Sequence, residues 1–251
     1  MPPDQPRDGT VTIEGGDAWH LARSLRARPG ERIVAVDGAG MEHAVVVTEV
    51  GERQVVGAIE RSRRSSGEPR TEVTVLQAMT KESMDGVVDA LTEVGASVIW
   101  PVITERTVAR PDALRGDRRL ERWRMIAKSA AQQSGRSRVP EVRAITPLSE
   151  GVAALVGRAR ILACVPDPSA QALSGLTHDP STPLALCIGP EGGFSAREHS
   201  HLVDLGAEPV HLGPRVIRAR LAGAVALALA LGASGDLDRS SAPSLLDQVQ
   251  P

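Results

Sequence analysis

Several marks of secreted, metal-bound and membrane-embedded proteins are missing from these 251 residues. Cysteine occurs twice, as Cys164 and Cys187, each inside an apolar strand-like run and without a CxxC pair or a histidine at ligand spacing. That excludes a disulfide framework and gives no reason to expect a metal, leaving buried, reduced thiols of a cytoplasmic protein as the expectation. The segment Met1-Pro-Pro-Asp-Gln-Pro-Arg-Asp has no basic region leading into an apolar core, so no secretory leader is visible. The one membrane-like window, Leu221 to Leu231, is too short to span, rich in alanine and flanked by Arg218 and Arg220; it reads as a core helix. An excess of charge is also missing: a net charge of −2 neither requires nor forbids nucleic acid, so the distribution matters more. Between Arg106 and Arg143 stand eleven Lys or Arg against four Asp or Glu, which suits a phosphate-facing surface and equally a solvated helix face.

What is present gathers around Leu184 to Ser195. An apolar run ending at Ile188 reads as a buried strand, and it stops in Gly189-Pro190-Glu191-Gly192-Gly193 before Ser195, with Glu198 three residues on, opens a helix with a capping-box pattern. Glycines in such a loop permit positive φ and let a ligand meet the main chain; an ordinary β-turn has the same composition. About twenty residues later the pattern repeats: Val210-His211-Leu212 runs into Gly213-Pro214-Arg215-Val216-Ile217-Arg218, followed by a helical Ala/Leu run.

Two regimes of pattern divide the chain. Residues 10 to 60 read as short strands (Val11 to Glu14, Arg32 to Asp37, Glu42 to Val50, Gln54 to Ile59) punctuated by Gly turns, with one helix capped by Asp17 and reaching Arg26, which suggests a small barrel. Arg61 to Arg70 is polar and basic and reads as a linker, with an RNA contact as a second possibility. From Glu72 strands alternate with helices: Val73 to Ala78, Val98 to Val102, Arg160 to Val165, Leu184 to Ile188 and Pro209 to Leu212 as strands, Met84 to Val94 and Leu114 to Gln133 as helices. This implies a mostly parallel sheet with its ligand site at the carboxyl ends of the strands, where both Gly-Pro loops fall. The expected division is 1–68, 69–235 and a flexible tail over 236–251.

Taken together, IGPEGGFS and LGPRVIR resemble the ribosomal RNA uridine methyltransferases of the RsmE family, within the SPOUT superfamily. The resemblance covers roughly residues 10 to 233. It implies an α/β fold with a trefoil-knotted parallel sheet, the chain after the second loop being threaded through an earlier one, and an N-terminal PUA-like β-barrel domain that holds RNA. It further implies S-adenosylmethionine as cofactor, ribosomal RNA as partner, a homodimer, and methyl transfer to ring N3 of a uridine in small-subunit RNA. The cofactor would lie against Ile188, Gly189, Pro190, Glu191, Gly192, Gly193, Leu212, Gly213, Pro214, Val216 and Ile217. Arg218, and second to it Arg215, would face the charge developing on the uracil oxygens. His20 to Arg32 resembles an RNA-holding segment of the family, in which Arg23 and Arg26, three apart, share a helical face. Ser129 to Glu141 is similar to a third signature, with Gln133 against a base edge and Arg136 and Arg138 against phosphate; the same residues also suit a helix C-cap at Gly135.

The match has departures. Where the family runs Arg-Thr-Glu-Thr-Ala, this chain has Arg218-Ala219-Arg220-Leu221-Ala222; Gln132 stands where Glu-Gln is usual, and Ala90 where a Lys is usual. These leave two rivals open: a SPOUT enzyme using the cofactor on a small molecule or at another bond of the sulfonium, and an RNA-binding protein without catalysis.

Overall fold

The computed structural model describes residues 9–81, 84–108, 113–240 and 245. The chain forms two compact units: Met1–Glu68 with Gly135–Val139 and Ser240–Pro251, and Pro69–Ser134 with Pro140–Arg239.

In the first unit, β1 (Thr10–Glu14), β2 (Arg32–Val36), β3 (Met41–Val50) and β4 (Gln54–Arg64) form an antiparallel sheet in the order β1-β4-β3-β2. Alternation places Val11, Ile13, Ala35, Val45, Val47 and Val55 on one face, where they form a core with Ala18 of the short helix α1 (Gly15–Trp19). Gly57 is needed where β4 crosses β3 closely, since a Cβ there would stand 2.9 Å from the Val46 carbonyl oxygen. The β2–β3 turn is tied by the buried Asp37, whose Oδ1 accepts the N–H of Ala39 at 2.7 Å and of Met41 at 2.9 Å. Deeper in the sheet, His43 shares a 2.8 Å hydrogen bond with Ser62, and burial lowers its pKa against the opposing pull of Asp37.

Three local expectations are corrected here. The helix opens at Gly15 without a side-chain cap from Asp17, and after Trp19 it widens into π-type turns ending at Ser24. Arg26 therefore lies beyond the helix, at φ 54°, and shares no helical face with Arg23. Arg61 to Arg64 belong to β4 rather than to a linker, paired with Met41 to Ala44 and secured by an Arg63–Glu42 bridge of 2.9 Å. The composition misled because every second residue of an exposed strand end can be cationic when a cross-strand carboxylate answers it.

The second unit contains β5 (Val73–Ala78), α2 (Asp85–Val94), β6 (Val98–Ile103), α3 (Ala113–Gln133), β7 (Glu141–Val142), β8 (Thr146–Pro147), α4 (Leu148–Ala153), β9 (Arg160–Cys164), β10 (Gln171–Ala172), β11 (Leu184–Ile188), α5 (Ala196–Asp204), β12 (Glu208–His211) and α6 (Ala219–Ala233). The strands pair in parallel in the order β10-β12-β9-β11-β5-β6-β7, with β8 also beside β6. All five residues of β11 are buried, as a strand covered on both faces requires, which is why it reads as an unbroken apolar run. Leu76, Ala185 and Cys187 face Leu148, Val152 and Leu202 of α4 and α5, while α6 packs on β5 and β11 from the other face, with α2 against it. Helix α6 buries Ala219, Ala222, Gly223, Ala226, Leu227, Ala230 and Leu231, a stripe at helical spacing whose small residues allow close approach.

Helix α6 also touches the 173–175 turn of the β9–β11 connection, and the N–H of His178 in that connection donates to the Ala233 carbonyl at 3.2 Å. The last helix is thus held between the sheet and a connection laid down earlier in the chain, the arrangement a threaded C-terminal segment produces. Of the tail expected over 236–251, residues 241–244 and 246–251 lie outside the described residues. Asp236 is packed in: its carboxylate accepts the N–H of Arg70 and of Thr71 at 3.0 Å each and the Thr71 hydroxyl at 2.8 Å.

Candidate cofactor cleft

Parallel pairing brings the carboxyl ends of β9, β11 and β12 side by side, and the loops leaving them enclose a cleft of about 680 Å³. Its walls include Ile188, Gly189, Pro190, Glu191 and Gly193 from the first Gly-Pro loop, and Leu212, Gly213, Pro214, Val216 and Ile217 from the second. Arg215, Arg218 and Arg220 also border it. Two glycines there have structural necessity: Gly193 at φ 67° and Gly213 at φ 114° occupy backbone conformations that side chains rarely adopt.

Gly192, expected against the cofactor, is not among the residues lining the cleft. It borders Arg106, whose Nη1 donates to the Gly192 carbonyl at 2.7 Å and whose side-chain carbons would lie 3.4 and 3.5 Å from a Cβ on Gly192. The loop is therefore pinned from outside the cleft. The same 104–107 turn is fixed by a 2.9 Å bond between the hydroxyls of Thr104 and Thr107. Its Glu105 N–H donates to Glu198 Oε1 at 2.7 Å, while Glu198 Oε2 accepts the N–H of Ser195 at 2.9 Å and the Ser195 hydroxyl accepts the Glu198 N–H at 3.1 Å. The capping box seen in the sequence thus does double duty, starting α5 and anchoring the turn that holds Gly192. On the other flank, Glu191 accepts the N–H of Lys81 at 3.0 Å.

A third wall, Cys164 to Pro168, was missed in the sequence. Its signal was available: the β9 run ends in Val165-Pro166-Asp167-Pro168, a strand end at the same edge as the two Gly-Pro loops. Ser169 donates its hydroxyl (2.7 Å) and N–H (2.8 Å) to Asp167, which holds that carboxyl below its usual range, helped by His199 and His211. His211 Nδ1 accepts the Gly213 N–H at 3.0 Å, which clips the second loop to its own strand. Burial pushes the Cys164 thiol up to about 12 and that of Cys187 higher still, and both cysteines are free, so neither serves as a nucleophile near neutral pH.

Arg218 stands at the N-cap of α6, where its carbonyl accepts the N–H groups of Leu221 and Ala222 at 2.9 Å. Its guanidinium has no ion-pair partner among the described residues. The start of this helix is positioned by Gln77, fully buried at the end of β5, whose amide donates to the Ala78 carbonyl at 3.2 Å and the Ala219 carbonyl at 3.5 Å. Gly223 makes room for it, because a Cβ there would collide with Gln77 Oε1.

The residues expected at RNA separate into distinct surroundings. Arg23 and Arg26 are exposed in the first unit, and Gln133 is exposed at the end of α3. Arg136 departs from the phosphate-binding expectation: its side chain is 6% exposed and bonded to Glu68 at 2.7 and 3.2 Å. Glu68 also accepts the N–H groups of Ser137 and Arg138 at 2.9 Å, so this cation serves the first unit's own packing. Arg138 is partly buried and its backbone bridges to Gly38 and Ala39. Among the described residues, no group of three or more His, Cys, Asp or Glu is placed to hold a metal, and no helix is long and apolar enough to cross a membrane.

A wholly parallel sheet with its cleft at three strand ends, closed by a threaded final helix, defines a cofactor-binding enzyme of the knotted SPOUT class. The chain belongs to the RNA methyltransferase family: the family's RNA methyltransferase domain matches residues 67–231, and its RNA methyltransferase PUA domain matches residues 13–60. It is 36% identical over 227 residues to a ribosomal RNA small subunit methyltransferase E of Mycobacterium bovis, covering 88% of this chain and 86% of that protein. The counterpart in Synechocystis is 31% identical, over 90% of this chain and 74% of its own length. The crystal structure of the Neisseria gonorrhoeae enzyme of that name, bound to S-adenosylmethionine, superposes with a TM-score of 0.80 at 30% identity, covering 94% of this chain and 95% of that one. A Legionella pneumophila methyltransferase in complex with the same cofactor gives 0.78 at 28% identity, over 92% and 96% of the two chains. The fold class, the cofactor and the assignment to methyltransferases expected from the sequence agree with these findings.

Proposed function

We propose that the protein transfers a methyl group from S-adenosylmethionine to ring N3 of a uridine in small-subunit ribosomal RNA. The supporting observation is the cleft itself, lined by two Gly-Pro loops and bordered by the arginine cluster at the start of α6, in a chain resembling a cofactor-bound ribosomal RNA methyltransferase over nearly its whole length. The cleft suits the cofactor in size and chemistry: about 680 Å³ lies within the range of small-molecule sites, and exposed loop backbone, apolar Ile188 and Leu212, and the carboxylates of Asp167 and Glu191 meet a ligand that is apolar, polar and cationic by turns. When bound, the cofactor supplies an electrophilic methyl group on a sulfonium.

The protein's own residues then have three tasks. The loops from Ile188 to Gly193 and from Leu212 to Ile217 hold the cofactor and exclude water. Arg218 presents its guanidinium to the uracil oxygens that gain charge as N3 gives up its proton to solvent water, with Arg215 second; a preorganised donor of this kind lowers the barrier by about 3 kcal/mol. Arg23, Arg26, Gln133 and Arg138 hold the RNA, the arginines mainly through phosphate. A homodimer fits the exposed apolar side chains of Val216, at the cleft, and Leu221, on α6, 89% and 51% exposed, and light scattering tests it. Ribosomal RNA as acceptor supports a cytoplasmic location.

The test is transfer of label from S-adenosylmethionine to small-subunit RNA, with the modified base mapped by nuclease digestion. Label at N3 of a single uridine supports the reading. Tight cofactor binding with no labelled RNA, accompanied by cofactor breakdown or a labelled metabolite, replaces it with the small-molecule reading, which Arg220 at the cleft border favours.

A further inference from the structure

Aromatic side chains are scarce here: three tryptophans, one phenylalanine and no tyrosine. Trp100 and Trp123 are buried, and Phe194 packs against the core of the parallel sheet. Trp19 is the exception, 60% exposed at the end of α1, and Leu25 just beyond it is 61% exposed. A lone exposed apolar residue is ordinary in any protein, so its surroundings must carry the argument.

Those surroundings are cationic. From Ala18 to Gly30 there is no Asp or Glu, while Arg23, Arg26 and Arg28 are all exposed. Arg23 follows Trp19 by four positions, close to one full turn of the widened π-type segment, which puts the two on the same side of it. Arg26 is held in the left-handed region at φ 54°, where no other non-glycine described residue is found. The Ala27 N–H reaches six positions back to the Leu21 carbonyl at 3.0 Å, one more than in the usual helix-closing bond, as the widened turns require, and the left-handed position before it is normally glycine. An arginine that carries this backbone penalty on an exposed surface points to a use for its guanidinium.

We infer that Trp19 is a stacking platform for an unpaired RNA base, with Arg23 and Arg26 taking the phosphates beside it. The inference rests on the RNA-acceptor reading and adds to it a contact of a different physical kind. Bases of single strands stack on exposed aromatic faces with little regard to sequence, and the neighbouring cations follow the backbone.

The experiment titrates the full-length protein with an unstructured RNA of about 12 nucleotides, a length in the range of single-strand sites, at several salt concentrations, following tryptophan fluorescence. Binding should quench the emission, and Trp19→Phe should remove most of the quench while keeping affinity within about threefold, because a phenyl ring still stacks. Trp19→Ala should weaken binding by about 5- to 100-fold with the salt slope unchanged, because stacking releases no counterions, whereas Arg23→Gln should lower the slope by about one. Arg26→Gly should raise the melting temperature while weakening RNA binding. Wild-type protein that binds no RNA overturns the acceptor reading together with the inference. RNA binding that survives Trp19→Ala within twofold, whether or not the variant sediments differently, overturns the inference alone, and altered sedimentation would make the face a protein contact.

Discussion

Replacing Asp236 by asparagine removes one charge from a nearly closed pocket and leaves its shape. The side chain is 2% exposed, between the guanidinium groups of Arg70 and Arg239, each 3.3 Å from Oδ1. Burial by itself would raise its pKa; the N–H groups of Arg70 and Thr71, the Thr71 hydroxyl and the Arg70 guanidinium outweigh burial and hold it at about 2, against 3.8 for an ordinary aspartate. A folded-state pKa below the unfolded value means that the stabilisation is complete above the unfolded pKa and is lost as pH falls through the folded one. Nearly two units correspond to about 2 kcal/mol at neutral pH. Asparagine forfeits that and adds a clash: in the orientation that keeps Oδ1 an acceptor for Arg70, its amide NH₂ faces the Thr71 N–H, which is then unpaired at a further cost of about 1 kcal/mol or more. The expected loss is about 3 kcal/mol at pH 7, a drop of about 6–12 °C in the melting temperature of a unit this size. Thermal and urea unfolding of both proteins from pH 7 to pH 2 measure it, and the gap should narrow by about 2 kcal/mol below pH 4. A loss under about 1 kcal/mol at pH 7, or a gap indifferent to pH, would refute the reasoning.

Gly193→Val should weaken S-adenosylmethionine binding by about tenfold or more in calorimetry, since it burdens a φ of 67° and sets a Cβ in the open cleft; Gly192→Ala, facing only the Arg106 side chain, should bind within about threefold of wild type. Arg106→Ala should lower cofactor affinity by about fivefold through loss of the 2.7 Å tether on the Gly192 carbonyl, with Arg106→Lys restoring part of it. Arg218→Ala should cut the methyl-transfer rate at least about a hundredfold while cofactor affinity stays within about threefold; equal losses in both would make the arginine a cofactor ligand instead.

Elements that carry their own signal were legible in the sequence. Val73 to Ala78 and Leu184 to Ile188 appear with the expected bounds because fully buried parallel strands are unbroken apolar runs, and the Ser195–Glu198 box because both partners lie within one turn. What escaped depends on distant partners. Nothing near Arg136 announces that Glu68 will bury it, and nothing in Gly-Pro-Glu-Gly-Gly says which glycine faces the cleft and which faces Arg106. Arg26 was misplaced for a related reason: a helix that widens and ends in a left-handed turn breaks the spacing rule on which a shared face relies. The third wall at Asp167 shows a loop without glycine contributing to the cleft simply because its strand ends at the same edge.

Because α6 runs beneath the β9–β11 connection, the order of events in building this protein is constrained. The residues from Leu212 to Ala222 that complete the cleft are made after the 173–175 turn against which α6 packs. A partly made or partly folded chain therefore has no cleft, and S-adenosylmethionine has nothing to bind until threading is finished. In the proposed reading the cofactor, held between the two Gly-Pro loops, would tie together segments on either side of that crossing.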